Sequence, residues 1–544
     1  MMKNLLLFAL FTLIVLCFSQ CANPIALTGG EKDEQGPGIV KDGILPKNMK
    51  IGFVKEPIYI TFDEWVKLND VLNQVIVSPP LEYPPKVKLK GKELTFEFDD
   101  QEILKEETTY TINFGEAVQD ITEGNPAEDL RYVFSTGDKI DSLRITGSLL
   151  DALEGTAVEG SMVMLYENLS DTAVTTIKPF YFARADKGGR FTISNVKEGT
   201  FQVIALANDQ GKKYLFDNPE EMIGFQEAPI ILNDTFKQSI DLLLFKELAP
   251  LQNTESEEVT FGHVVYKFNR EPFDLNISYD ESTYYTKIEY ENDSIHVWHN
   301  RLEPFNIYTS YDTLWFDTLA TKKLNRNEFI DQSSLRLRGA SRIPGAVSKK
   351  AIHSKEAVEI LFSHPIDKLN KDSILFYADS IATELTYDLN LDDKVQRKLI
   401  LKSNWKESIV YKFQLNPGAL TDIYGITNDT MRFEYLISKK DKFGELNLKI
   451  TDLNPAYSYI VELQKPDKKV LDKFYISGKE SFEKLYEYLV PNDYSLEIIE
   501  DVNGNRRWDP GSYEAKTYPE RIFKSKLETL RANWTVESEV KPTF

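Results

Sequence analysis

The sequence predicts an all-β chain built from tandem antiparallel β-sandwich domains, part of which is present twice. Ile58, Ile60 and Phe62 occupy every second position of one stretch. A period of two places one set of side chains on a buried face of a strand. The segment Ala357–Pro365 then repeats the pattern of Pro57–Glu64.

The repeat continues downstream of both segments. Each copy has a tyrosine-containing strand pattern, then a turn with Asp and Gly, then an aromatic closing strand. These blocks are Thr109–Ile112, Asp120–Gly124 and Tyr132–Phe134 in the first copy, and Val410–Phe413, Asp422–Gly425 and Phe433–Tyr435 in the second. Because the blocks match in order and spacing, they indicate an internal duplication.

Length and composition limit the classes of protein that fit. A chain of 544 residues predicts about three to five domains. The formal net charge is -21, and no basic run interrupts the acidic surface. That charge argues against nucleic acid as a partner and against direct docking on anionic lipid headgroups.

Residues 1–20 predict a cleaved signal peptide. Lys3 provides a short positive region, and Leu5–Phe18 is an apolar stretch too short to span a bilayer. The chain is therefore expected to leave the cytoplasm.

The segment Phe18–Cys21 resembles the end of a bacterial lipoprotein signal peptide, although Gln20 replaces the usual small residue. The resemblance implies that Cys21 is lipidated and anchors the chain in the outer membrane, on either face. An ordinary secretory signal is the alternative. Cys17 is the other cysteine of the chain, so cleavage leaves no intrachain disulfide. Residues 21–46, rich in Gly and Pro, predict a flexible tether behind the lipid.

Residues 47–138 are predicted to form the first sandwich. They resemble the bacterial Ig-like domain of S-layer proteins and Bacteroidota lipoproteins. The residues that carry the resemblance are Phe62–Glu64, Tyr110–Ile112, Asp120 with Gly124 and Asn125, and Phe134–Thr136. The resemblance implies a fold and no activity.

Residues 139–247 keep the β pattern in another order. They are similar to the transthyretin-like, or carboxypeptidase-regulatory-like, domain that accompanies carboxypeptidases and outer-membrane receptors. The matching blocks are Ile145–Ser148, Met162–Tyr166, Asp186–Phe191, Glu198–Phe201 and Val203–Leu206. The family's role is structural.

The pattern of the second half of the sequence predicts three more domains. Residues 248–345 alternate as β-strands without a family signature, residues 346–438 form the second Ig-like copy, and residues 439–544 form a second transthyretin-like copy. Within the last domain the spacing of Phe482, Leu485 and Leu489 permits a short helix, whereas the repeat favours a turn.

The sequence indicates a protein without catalytic activity. His296 and His299 are three apart on a predicted strand, so they face opposite sides and cannot share a metal. Gly339–Ile343 lacks the final glycine of a nucleophile elbow. A Ser-His-Asp arrangement built from distant residues stays open.

One loop carries candidate metal ligands. Asp501, Asn503, Asn505 and Asp509 have the spacing of a calcium loop. Ser512 stands where an EF-hand needs a bidentate Glu, and no helices flank the loop. The first repeat has Asp209 and Asp217 with Gly211 and Lys213 between them. A hairpin pinned by Asp is therefore preferred over a calcium site, and no other cofactor is expected.

Two functions stay open. The preferred one is a lipid-anchored structural or protein-interaction subunit of an outer-membrane complex for protein assembly, secretion or nutrient uptake. The alternative is a surface carbohydrate-binding lipoprotein with exposed aromatic platforms. Candidate platforms are Trp298, Trp315, Trp405, Tyr284 and Tyr285, although burial in a core is preferred for most of them.

Overall fold

The computed structural model describes residues 33–207, 215–218, 220–236, 238–273, 275–280, 285–311, 314–338, 347–378 and 385–544. Strands hold 49% of the residues and helices 4%, which confirms the predicted class of tandem β-sandwich domains. The chain divides into two compact units, residues 1–244 and 245–544. Within the described ranges, no helix has the length and apolar character needed to cross a membrane.

The first sandwich packs two sheets around an aromatic core. Its strands are β1 (Ile39–Leu45), β2 (Ile58–Phe62), β3 (Val66–Leu68), β4 (Ile76–Ser78), β5 (Lys86–Lys90), β6 (Glu93–Glu97), β7 (Thr109–Asn113), β8 (Val118–Asp120) and β9 (Arg131–Ser135), with the short helix α1 (Val71–Gln74). The sheet orders are β1-β2-β6-β5 and β4-β7-β9, and β3 pairs with β8. Phe62, Phe96 and Phe134 are fully buried between them.

The second sandwich completes the first unit. It contains β10 (Leu143–Asp151), β11 (Met162–Tyr166), α2 (Ala173–Thr176), β12 (Tyr181–Arg184), β13 (Arg190–Val196), β14 (Gly199–Ala207), β15 (Met222–Phe225), β16 (Ile230–Leu232) and β17 (Ile240–Lys246). The strand order is β12-β11-β14-β15-β17-β10-β13, with β16 on β14. β10 runs parallel to β17.

The second unit begins with the middle sandwich. Its elements are β18 (Asn253–Thr260), β19 (His263–Phe268), β20 (Leu275–Tyr279), β21 (Thr286–Glu291), β22 (Ser294–His299), β23 (Asn306–Tyr311), β24 (Leu314–Ala320) and α3 (Arg326–Gln332). The sheets β18-β19-β22-β21 and β20-β23-β24 enclose Tyr266, Ile295, Val297 and Ile307.

The next sandwich reproduces the first. Its strands are β25 (Val347–Ile352), β26 (Val358–Leu361), β27 (Ile366–Leu369), β28 (Ile374–Ala378), β29 (Tyr387–Leu391), β30 (Lys398–Ser403), β31 (Val410–Leu415), β32 (Leu420–Asp422) and β33 (Met431–Ile437), with a 3-10 turn at Lys371–Ser373. The pairs β26–β30, β29–β30, β27–β32, β28–β31 and β31–β33 correspond to β2–β6, β5–β6, β3–β8, β4–β7 and β7–β9.

Side-chain details follow the same duplication. Phe62 and Phe362 are both fully buried. The Tyr110 hydroxyl accepts the Lys105 amide at 2.8 Å, and the Tyr411 hydroxyl accepts the Lys406 amide at 2.9 Å. The internal repeat that the sequence predicts is therefore confirmed.

The last sandwich repeats the pairing of the second. It contains β34 (Gly444–Ile450), β35 (Ser458–Gln464), β36 (Val470–Ser477), β37 (Phe482–Leu489), β38 (Ser495–Asp501), β39 (Ile522–Lys526) and β40 (Thr535–Val540), after a 3-10 turn at Lys440–Lys442. β34 runs parallel to β40 and antiparallel to β37, as β10 does with β17 and β13.

The helix or turn expected around Leu485 is wrong. This segment is the strand β37, because pairing with β34 stabilises the extended chain, whereas a short isolated helix is only marginally stable. In the second sandwich the corresponding segment is also a strand, β13, which pairs with β10 as β37 pairs with β34.

Candidate functional site

The loop between β38 and β39 contains the predicted ligands. Asp501, the last residue of β38, is 1% exposed. Its carboxylate oxygens accept the backbone amides of Asn505 at 3.0 Å and Arg506 at 2.9 Å. A short acidic side chain that holds amides four and five residues ahead fixes a turn. These bonds are the ones that the pinned hairpin predicts.

Asp509 differs from that expectation. One of its oxygens accepts the side-chain amides of Asn503 at 2.5 Å and Asn505 at 2.6 Å, and the other accepts Nε of Arg507 at 3.0 Å. The expected backbone donors are replaced because the two Asn side chains lie inside the loop. Among the described residues, no group of three or more His, Cys, Asp or Glu has the arrangement of a metal site. Calcium binding at Asp501, Asn503, Asn505 and Asp509 stays a prediction.

Glu520 closes the loop and escaped sequence reasoning. Its two carboxylate oxygens accept the backbone amides of Val502 at 2.8 Å and Asp509 at 3.1 Å, while the Trp508 indole donates to its carbonyl at 2.9 Å. Burial raises the pKa of Glu520 to about 7, and the carboxylates of Asp509 and Asp501 add to that rise. No local spacing rule connects Glu520 to the loop, so the role of this residue could not be predicted from the sequence.

The loop also contacts residues near the start of the second unit. The Arg507 guanidinium lies 4.6 Å from the centre of the Phe273 ring, and the Tyr513 amide donates to Glu247 at 2.5 Å. The pinned loop thus ties the last sandwich to the middle one.

The predicted separation of His296 and His299 is found. The His299 ring packs against Phe305 on the core side, whereas His296 meets His263 of β19 on the other side, with ring nitrogens 2.9 Å apart. Trp298 stacks on His263 at 3.6 Å. A cross-strand histidine pair was missed because its members are 33 residues apart.

Burial favours the uncharged form of both histidines. Burial lowers the pKa of His263 to about 3, and the neighbouring His296 adds to that effect. Burial also lowers the pKa of His296. The hydrogen bond between the two rings joins β19 to β22, so this pair serves packing.

Beside these rings lies a buried ion pair. Nε and Nη2 of Arg397 donate to the two carboxylate oxygens of Glu289 at 2.8 and 2.5 Å, and the guanidinium lies 5.4 Å from the Trp298 ring. The Tyr424 hydroxyl donates to the Gly262 carbonyl at 2.9 Å. These contacts join the middle sandwich to the one that follows it.

A small cleft beside this contact contains a histidine with an acidic partner. Nδ1 of His364 lies 2.8 Å from Oδ2 of Asp422. The other carboxylate oxygen of Asp422, Oδ1, accepts the backbone amides of Tyr424 and Ile426. The cleft has a volume of about 280 Å³ and is lined by Gln332, Ser333, Ser334, Arg336, Leu337, Ser363 and His364. A His–Asp pair next to serines resembles part of a hydrolytic triad.

The hydrogen bonds of the cleft favour a structural role. The Ser363 hydroxyl accepts the Arg336 amide at 3.1 Å and donates to the Ser334 carbonyl at 3.5 Å. Within the described part of the chain, no serine hydroxyl is bonded to His364. In the first copy Asp120 holds the equivalent turn through the amides of residues 123–125. The His–Asp pair is therefore a variant of a turn pin.

The candidate aromatic residues that the structure describes, Trp298, Trp405 and Tyr285, do not form an exposed sugar platform. Trp298 is 4% exposed and Trp405 is 6% exposed, and the Trp405 indole donates to the Glu356 carbonyl at 2.9 Å. The Tyr285 hydroxyl donates to the Gln396 side chain at 2.5 Å. Both tryptophans are buried, as the sequence analysis prefers for most of these rings. Trp298 and Trp405 therefore do not form exposed sugar platforms.

Other sequence-predicted residues lie outside the described ranges. They are Cys17, Cys21, Asp209, Gly211, Lys213, Tyr284, the Trp315 side chain and the Gly339–Ile343 segment. Asp217 is described, but its loop partner in the first repeat is not.

One comparison with known proteins, the match to a protein-family model, agrees with the Ig-like prediction for the first sandwich. No curated protein shows significant sequence similarity to the chain. The major pilin subunit of Bacillus cereus is 11% identical, with 74% of this chain and 99% of that chain covered and a TM-score of 0.14. The S-layer protein rSbsC is 10% identical, with 83% of this chain and 63% of that chain covered and a TM-score of 0.13. Similarities at this level do not bear on function. The family model of the bacterial Ig-like domain matches residues 33–136, the segment that forms the first sandwich.

Proposed function

We propose that this chain is a non-enzymatic, lipid-anchored structural and protein-interaction subunit of an outer-membrane complex. The observation that carries the proposal is the duplicated pair of sandwiches, in which strand pairing and turn pins recur. Many cell-surface domains share the β-sandwich architecture, so the proposed role rests on an analogy of fold.

Buried charged groups support a structural role. Arg397 is paired with Glu289, Asp422 with His364 and two backbone amides, and Asp501 with two more amides. An active site needs an acid, base or nucleophile that faces substrate. These buried groups instead join strands, turns and neighbouring sandwiches.

Features of the sequence support the proposed location. Residues 1–20 have the features of an export signal, and Cys21 stands where a lipoprotein signal ends. Several acyl chains on one residue would anchor the chain durably, since each buried methylene contributes about 0.8 kcal/mol. The carbohydrate-binding alternative has less support because Trp298 and Trp405 are buried.

The anchor is tested by replacing Cys21 with Ser. We expect the variant to move from the membrane fraction to the soluble fraction after carbonate washing. Cys17→Ser is the matched control, because Cys17 lies inside the apolar stretch and its loss should leave membrane retention unchanged. Retention of the Cys21→Ser variant on washed membranes would refute the lipid anchor.

A further inference from the structure

The two Ig-like copies differ on one sheet face. In the first copy this is the outer face of β4-β7-β9, and its residues include Ser78, Thr109 and Ser135. They are 8%, 1% and 1% exposed. The side chains are small, and the face is covered.

The second sandwich covers this face in the first unit. The Phe182 amide donates to the Ser78 hydroxyl at 3.2 Å, and the Asp141 amide donates to the Thr109 hydroxyl at 2.9 Å. A β-sandwich therefore occupies the face in the first copy.

The equivalent face of the second copy is open. Strand registers place Tyr377, Val410 and Leu436 at the positions of Ser78, Thr109 and Ser135. These three residues are 43%, 37% and 47% exposed. Larger and more apolar side chains thus stand where the first copy has small covered ones.

The last sandwich contacts the second copy elsewhere. The Ser354 hydroxyl donates to the Tyr488 hydroxyl at 3.1 Å, and the His353 ring stacks on Tyr488 at 4.9 Å. These residues follow β25, so among the described residues this contact lies away from the outer face of β28-β31-β33.

The open face has a charge opposite to that of the chain. Among the described residues of its four strands, Lys349, Lys412 and Arg432 lie on this face with one carboxylate, Glu434, which pairs with Lys349 at 2.9 Å. The described strand residues of this face therefore carry a net positive charge, whereas the whole chain has a formal charge of -21. Copies of an acidic chain repel each other, and a basic face attracts an acidic partner.

We propose that the outer face of β25-β33-β31-β28 binds a different protein. The surface of that partner is apolar at its centre and acidic at its rim. Apolar residues of the partner pack on Tyr377, Val410 and Leu436, and its acidic rim is attracted by the positive charge that Lys349, Lys412 and Arg432 give to this face. This inference deepens the proposed interaction role, on which it rests.

The test uses the full chain in cells of its source. A photo-reactive benzoylphenylalanine replaces Leu436 in one variant and Glu359 in a matched control. Glu359 lies on the other sheet of the same sandwich, and its side chain is 59% exposed. Light should give one adduct from position 436 and none from 359, and the linked peptide should be net acidic.

Charge reversal provides a second measurement. Lys349→Glu with Lys412→Glu, added to the position-436 variant, should lower adduct yield by roughly fivefold or more, because each rim pair contributes a modest attraction. Lys402→Glu, at an exposed position of β30, should leave the yield unchanged.

Each other outcome overturns the docking proposal. No adduct, an equal adduct from position 359, or an adduct with a second copy of this chain would do so. An unchanged yield after charge reversal would also do so. None of these results affects membrane anchoring through Cys21, so a failed docking face and a failed anchor are distinguishable.

Discussion

Replacing Arg397 with Met should strongly destabilise the second unit. The Arg397 side chain is 5% exposed and the Glu289 side chain 8% exposed, and two hydrogen bonds connect them. Met fills much of the same volume but leaves the Glu289 carboxylate buried without its cation.

The expected loss of unfolding free energy is about 3–5 kcal/mol, the cost of removing one partner of a buried ion pair. Replacing both partners, as in Arg397→Met with Glu289→Leu, should recover most of that loss. The double variant removes both charges of this pair, and exchange of a buried pair for apolar residues is often close to neutral.

Urea unfolding of the full chain, followed by tryptophan fluorescence, measures these differences. Trp298 reports on the site because the guanidinium lies 5.4 Å from its ring. Arg432→Met is the matched control, since Arg432 is exposed and its loss should change stability by less than about 0.5 kcal/mol.

Two results would refute this reasoning. One is an Arg397→Met variant that unfolds at the urea concentration of the Arg432→Met control. The other is a double variant whose loss equals the sum of the single losses, because the two residues would then be energetically independent.

Two further predictions concern the last loop. Burial raises the pKa of Glu520 from 4.5 to about 7, so between these values the unfolded chain loses its proton first and stability falls as pH rises. The fall is up to about 3 kcal/mol, Glu520→Gln should remove it, and parallel urea midpoints for both proteins from pH 5 to 8 would disprove it. Calcium should not change the melting temperature relative to a chelator, whereas Asp501→Ala should lower stability by about 1–3 kcal/mol in both conditions. A calcium-dependent rise found only in the wild type would make the loop a metal site.

Local patterns were sufficient for the class of fold and for its duplication. Alternation at Ile58, Ile60 and Phe62 is a property of neighbouring residues, and burial follows from it. The turn pin at Asp501 was also accessible, since its donors lie four and five residues ahead. Such contacts are encoded within a few residues.

Distant pairings were decided by tertiary structure alone. His263 contacts His296 because β19 pairs with β22. The Glu520 carboxylate accepts the Asp509 amide although the two residues are 11 positions apart in the sequence. The β37 strand likewise depends on its pairing with β34. The exposure of Leu436, against the burial of Ser135, depends on where a neighbouring sandwich packs. Spacing along a sequence sets which face a side chain occupies, whereas only the packed chain determines what covers that face.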